Sequence, residues 1–232
     1  MPRLEELSDQ ELTKLNGSHG WVCGTRDAKG RILGNKGRIY DIPERRVVMA
    51  EKALGFAGKT VVEFGCLEGC HTVALARQAV SVTAIDFQDK NLEKSRLRCG
   101  LYGVSPTFLK LDVEAQDPPP ADLYFHSGVL YHLQDPVSHL IRIAPLAKEL
   151  FLDTHHARKA ADRYVAAADG KQYLFSKHGE ATHPRAGAGT FSRWITLDAI
   201  VSTLKRFYRK VVIIRDEDER NGARVTIAAA GK

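Results

Sequence analysis

Val61-Val62-Glu63-Phe64-Gly65-Cys66-Leu67-Glu68-Gly69-Cys70-His71-Thr72 climbs through apolar residues to an acid, breaks at two glycines and continues as a helical pattern. That order describes a strand, a tight turn and a helix N-terminus. The pattern repeats downstream. Asp86 closes the apolar run Ser81-Val82-Thr83-Ala84-Ile85, and Asp112 closes Thr107-Phe108-Leu109-Lys110-Leu111. Three acids thus end three successive strands, on the edge of an open α/β sheet where ligands bind.

The surrounding chain extends this alternation. Strands are expected at 59–64, 81–86, 106–111, 121–127 and 149–154, with helices at 70–79, 89–100 and from Asp135-Pro136 to about Lys148. Asp135 suits an N-cap and Pro136 the first helical position. Thr196 is expected to cap a helix to about Phe207. Strands Lys210 to Arg215 and Ala223 to Ala229 then flank Asn221-Gly222, a hairpin signal. Upstream, Leu4, Leu7, Leu12 and Leu15 give residues 1–18 an amphipathic helix, 19–42 read as a loop or hairpin over the site, and Pro43 opens a helix over 42–54. The domain reading is a helical and loop cap, 1–55, followed by a ligand-binding domain, 56–232. Residues 155–193 show no clear periodicity and are read as a substrate-side insertion.

The turn indicates its ligand. Gly65 and Gly69 let a ligand lie against the backbone, and the following helix aims free N–H groups at it. Asp86 is placed to accept from two ribose hydroxyls, with Phe87 beside it, and Asp112 to accept from an adenine amine, with Val113 on the purine edge. Position 67 is leucine, which breaks the dinucleotide glycine fingerprint, and no Lys or Arg lies between Glu63 and Thr72 to hold a pyrophosphate. Glu63 suits a cationic amino-acid cofactor, directly or through the turn's own donors.

With these residues the chain resembles the class I S-adenosylmethionine-dependent methyltransferases, over roughly 19–230. Glu63-x-Gly65-x-x-x-Gly69 is similar to their first motif, Asp86 and Asp112-Val113 to the second and third, and Ala121 to Leu133 to the fourth. The core Gly128-Val129-Leu130-Tyr131-His132 resembles the branch that contains the tRNA wobble-uridine carboxymethyltransferase. The resemblance implies a Rossmann-like fold with a mixed, mainly parallel seven-stranded sheet ending in an antiparallel hairpin. It also implies S-adenosyl-L-methionine as cofactor, S-adenosyl-L-homocysteine as product, and backbone atoms of His126 and Ser127 lining the methionine moiety.

Methyl transfer needs alignment of nucleophile, methyl and sulfur, and a base only where the nucleophile carries a proton. His132 is read as that base or as a packing residue. Of the adjacent His155 and His156 one is expected in the site, His155 as a second base candidate and His156 toward substrate. Trp21, Tyr131 and Trp194 are read as acceptor walls or as packing. Arg38, Arg45 and Arg46 are candidates for an anionic group. A metal held by Asp153, His155 and His132 would need three independent placements, and no metal is expected.

The chain has 232 residues, 44% hydrophobic and 27% charged, with four cysteines and a net charge of +6. These values fit an ordinary globular protein in a reducing cytoplasm. No apolar run reaches membrane-spanning length, and the acidic N-terminus is not a secretion signal. The expected activity is methyl transfer to an oxygen or nitrogen of a small molecule. The alternative is tRNA modification, with Tyr164, Tyr173 and Phe175 near Lys171 and Lys177 as loose stacking candidates. A cofactor-binding protein without catalysis is the third reading.

Overall fold

The computed structural model describes residues 2–158, 163–166, 172–179 and 191–232. Its centre is a seven-stranded sheet in the order β12-β13-β8-β7-β4-β5-β6. The parallel strands are β4 (Thr60–Phe64), β5 (Ser81–Asp86), β6 (Thr107–Lys110), β7 (Ala121–Ser127) and β8 (Ala147–His155), while β12 (Lys210–Glu219) and β13 (Gly222–Ala230) form the antiparallel hairpin. This is the class I methyltransferase fold. The order turns about β4, with β5 and β6 to one side and β7 and β8 to the other, so the ligand crevice lies at the carboxyl ends of β4 and β7.

Strand alternation divides the core into two faces. Val62, Phe64, Tyr124, Leu150 and Leu152 pack with residues of α5 (Pro136–Ile143) and α6 (Leu197–Leu204). Val61, Leu123, Phe125 and Phe151 pack with Val47 and Ala50 of α2 (Arg45–Leu54) and Ala74 and Leu75 of α3 (Cys70–Ala76). Near-continuous apolar strands and two helix layers are two consequences of the same register.

The N-terminal segment adds α1 (Asp9–Ser18) and a small sheet of β1 (Gly24–Arg26), β2 (Ile32–Gly34) and β3 (Ile39–Tyr40). Ser8 caps α1 in a capping box with Glu11. Leu4, Leu12, Trp21 and Leu33 pack with Leu101 of α4 (Asp89–Leu101), which seats the segment beside the crevice. Of the loop or hairpin expected over 19–42, the structure has the hairpin, β1 with β2, and adds β3 parallel to β1. These strands have only two or three residues, too few for a sequence period to show.

Two other boundaries differ from the sequence reading. The helix after Asp135 ends at Ile143, because Pro145 cannot continue it; Asp135 caps it by accepting from the Ser138 N–H at 3.1 Å. The 155–193 stretch contributes β9 (Arg163–Ala166) and β10 (Gln172–Gly179); β10 is central and pairs antiparallel with β9 on one side and β11 (Phe191–Ile195) on the other. Pairing over such separations leaves little local signal. The predicted hairpin is present, with Arg220-Asn221 as its two-residue loop between Glu219 and Gly222.

Candidate active site

A cleft opens at the carboxyl ends of the parallel strands, lined in chain order by Arg38, Tyr40 and Arg46, then Gly65 to Glu68, Asp86-Phe87, Leu111 to Glu114 and Ser127 to Leu133 apart from Leu130. Gly65, Asp86, Phe87, Asp112, Val113, Ser127, Tyr131 and His132 therefore share one cavity.

Its cofactor end is built from local elements. Gly65 has φ +65°, and a Cβ there would stand 2.5 Å from Val129 Cγ2, so the turn admits only glycine. Leu67 holds φ +50°, a left-handed conformation that costs a branched side chain about 1–2 kcal/mol. That strain aims its N–H at Asp86 Oδ2, 3.0 Å away. Asp86 Oδ1 accepts from the Gln88 N–H at 2.9 Å and Asn91 at 3.1 Å. Burial nevertheless raises the Asp86 pKa above the ordinary carboxylate range. A buried carboxylate on a cavity wall, already braced by these donors, is placed to meet ribose hydroxyls. Asp112 Oδ1 accepts from the Glu114 N–H at 2.9 Å.

Glu63, Gly69 and His126 do not line the cleft, and register explains two of them. Glu63 shares the α3 face with Val61. It is 1% exposed and accepts from Thr72 Oγ1 at 2.5 Å. Burial, with Asp86 nearby, pushes its pKa up to about 8, so at neutral pH it is largely a neutral acid, 3.7 Å from His71 Nδ1. His126 shares the α5 face with Tyr124. Its Nε2 lies 3.0 Å from His139 Nε2, while His139 Nδ1 faces the Val113 carbonyl at 3.1 Å. A carbonyl only accepts, so His139 carries its proton on Nδ1 and His126 donates from Nε2. Both residues brace the site from behind. Gly69 is the left-handed cap of α3, and a Cβ there would meet Ser95 Oγ at 2.6 Å.

The other end of the cleft is assembled from distant parts of the chain. Arg46 stands on its wall, with Nη1 3.3 Å from Ser127 Oγ and Nε 3.0 Å from Glu44 Oε2. Behind it Asp153 is fully buried, bonded by Arg224 and by Thr226 Oγ1 at 2.7 Å. Burial works against the Asp153 carboxylate, but Arg224 and Arg46 outweigh it and hold the pKa below the ordinary range. An ideal Cβ on Gly128 would lie 3.8 Å from Tyr131 Oη and 3.9 Å from both Arg224 Nη2 and Arg46 Nη1. Three donors thus converge where β7 enters the cleft. Sequence reading singled out Arg46 and Tyr131, weighed Asp153 only as a metal ligand and gave Arg224 no role in the site. It also missed His71, which lines the cleft 3.3 Å from Glu44.

The remaining aromatic and histidine candidates stand away from the wall. His155 is 6% exposed and stacks on Trp194 with ring centres 4.8 Å apart, and Tyr131 meets it edge-on at 4.8 Å. Its Nδ1 faces the Ala223 carbonyl at 3.1 Å and its Nε2 faces Arg224 at 3.2 Å, so neither nitrogen is left to take a substrate proton. His156 points to Asp216 on β12, 2.9 Å away. Trp21 is buried beneath the Arg98 guanidinium, 4.7 Å from its ring centre. Arg45 is exposed and lies 3.9 Å from Glu219. Lys171 and the side chains of Tyr164, Tyr173, Phe175 and Lys177 lie outside the described residues. No helix among the described residues is long and apolar enough to cross a membrane, and none of their His, Cys, Asp and Glu side chains gather in threes able to hold a metal.

Residues 61–148 match the family model described as a methyltransferase domain. The chain is 30% identical over 151 residues to the ubiquinone biosynthesis O-methyltransferase of Pseudomonas paraeruginosa, covering 62% of this chain and 64% of that protein. With the Vibrio cholerae protein of the same name it shares 31% over 147 residues, covering 61% and 59%. The match thus spans about three-fifths of these relatives' length. The N-terminal domain of EvdMO1, solved in the presence of SAH and D-fucose, superposes with a TM-score of 0.80 at 20% identity, covering 97% of this chain and 98% of that domain. Magnesium protoporphyrin IX methyltransferase from Synechocystis PCC 6803, with bound SAM, gives 0.54 at 18% identity, covering 80% and 76%.

Proposed function

We propose that the protein is an S-adenosylmethionine-dependent methyltransferase acting on an oxygen or nitrogen of a small-molecule acceptor. One observation carries this reading: Gly65, Asp86, Asp112-Val113 and Ser127-Gly128 follow one another along a single cleft at the carboxyl edge of the sheet. Asp86 would hold the ribose, Asp112 the adenine amine and Val113 the purine face, while Arg46 supplies a cation for the amino-acid carboxylate. S-adenosylmethionine, when bound, supplies a methyl group on a sulfonium sulfur. His132, on the wall beside Tyr131, would take the proton from a hydroxyl acceptor, and the 1–55 cap would exclude water.

An oxygen acceptor is favoured by the O-methyltransferases among the relatives. The expected location remains the cytoplasm, and S-adenosylhomocysteine the product. The test is transfer of labelled methyl from S-adenosylmethionine to phenolic, carboxylic and sugar acceptor pools, with bulk tRNA beside them. Label in a small molecule supports the proposal. Label confined to tRNA would replace it with the RNA reading, and cofactor binding with no transfer would favour a non-catalytic protein.

A further inference from the structure

Cys23 and Cys70 line the cleft, yet methyl transfer gives them no task. Cys23 precedes β1 and Cys70 opens α3; they are 1% and 8% exposed, and their sulfurs stand 2.8 Å apart. The Arg98 guanidinium reaches both. Its Nη1 lies 3.2 Å from Cys23 Sγ and also donates to Cys70 Sγ, and its Nη2 donates to the Cys23 carbonyl at 3.0 Å. Arg98 is completely buried, and its Nε has no hydrogen-bond partner. Glu68, the acid of this cluster, accepts from the Val22 and Cys23 N–H groups and from Lys94, and its Oε2 lies 3.2 Å from Cys23 Sγ.

A buried guanidinium cannot shed its proton, and without a counter-ion its burial is prohibitive. Among the described residues no carboxylate is in contact with Arg98; Glu68 acts on it from a distance, and the atoms the guanidinium grips are the two sulfurs and the Cys23 carbonyl. The Arg98 guanidinium and a hydrogen bond from the Cys70 thiol favour thiolate character on Cys23, against the Glu68 carboxylate beside it. The hydrogen bond from Cys70 and the nearby Arg98 lower the Cys23 pKa despite burial, whereas burial pushes Cys70 well up. Thiolate character sets reactivity.

We propose that Cys23 and Cys70 are a reversible redox site, which hydrogen peroxide converts to a disulfide tying the N-terminal cap to the first residue of the cofactor-turn helix. The Cys23 sulfur attacks one peroxide oxygen, the O–O bond breaks, and hydroxide leaves and is protonated by solvent. The Cys70 sulfur then attacks the resulting sulfenic acid. An S–S bond forms, the S–O bond breaks, and the departing hydroxide leaves as water with the Cys70 proton. Two thiols are oxidised and one peroxide is reduced to two waters; a dithiol reagent reverses the change. Cys66 and Cys99 are equally buried but touch no guanidinium, and burial raises the pKa of both. They serve as internal controls.

Only the protection arm of the test rests on the cofactor reading. The reduced full chain is exposed to hydrogen peroxide, quenched in acid, alkylated, digested and read by mass spectrometry. A Cys23–Cys70 linked peptide should accumulate and disappear with dithiothreitol, while Cys66 and Cys99 stay alkylated as free thiols. S-adenosylhomocysteine at about ten times its Kd should slow the linkage about tenfold. No linked peptide in protein that binds S-adenosylhomocysteine, or oxidation of Cys66 and Cys99 at the same rate, overturns the redox site. Linkage that S-adenosylhomocysteine does not slow overturns the placement of the cofactor and leaves the redox site standing.

Discussion

The two ends of the cleft are built differently. At the cofactor end each residue lies at the end of its own strand: Asp86 is the last residue of β5, Asp112 is the second residue after β6, and Gly65 follows β4 directly. At the opposite end, where the amino-acid carboxylate would meet the acceptor, Arg46, Tyr131, Asp153 and Arg224 come from four elements across most of the chain, and they meet through buried charge pairs rather than through a turn. Hydrogen bonds from a local turn can be lost singly. A buried charge network fails as a unit, because removing one ion strands its partner.

That contrast predicts unequal mutational costs. Arg224→Met should be the most damaging change, lowering unfolding free energy by about 3–5 kcal/mol by stranding Asp153. Urea denaturation measures it, and adding Asp153→Asn should restore part of the loss. An Arg224→Met protein with wild-type stability would show that the network carries no weight. His132→Ala should lower turnover about 100-fold with S-adenosylhomocysteine affinity unchanged, the signature of a base. Unchanged turnover returns His132 to a packing role.

At the cofactor end the expected effects are smaller. Asp86→Ala should weaken S-adenosylhomocysteine by about 1.5–3 kcal/mol, with the circular dichroism spectrum preserved. Glu63 gives a pH signature. Its pKa in the fold, about 8, lies above its ordinary value of 4.5, so the folded state holds a proton that the unfolded chain releases. Its contribution to stability is complete below pH 4.5 and is lost as pH rises through about 8. Glu63→Gln should flatten that decline in thermal melts between these limits, and an unchanged slope contradicts a neutral Glu63. The smallest effect is a gain: Leu67→Gly releases left-handed strain and should raise stability by about 0.5–1 kcal/mol, after the added freedom of glycine in the unfolded chain.

The same division decides what the sequence reveals. Asp86 and Asp112 were legible because an acid at the end of an apolar run is a local pattern. Their exposure to the cleft needed no knowledge of distant residues. Glu63 and His126 were read from the same positional logic, but strand parity turns Glu63 toward Thr72 of α3 and His126 toward His139 of α5. One residue of register separates a strand-end group that enters the cleft from one that braces it. Arg224 lay in an expected strand, yet its partner Asp153 lies 71 residues away, and no spacing rule joins them. Trp194 and Gly222 were likewise separate signals until the fold set the Trp194 ring where a Cβ at position 222 would lie 2.7 Å from it. The short strands of the cap were invisible for a simpler reason: two or three residues display no period.

The decisive measurement is calorimetric titration of the reduced, full-length chain with S-adenosylhomocysteine, with NAD as control and Asp86→Ala alongside. Micromolar binding of S-adenosylhomocysteine, no binding of NAD and a weaker isotherm for Asp86→Ala are expected. Preference for NAD, or an S-adenosylhomocysteine isotherm that Asp86→Ala leaves untouched, would contradict the assignment of this cleft.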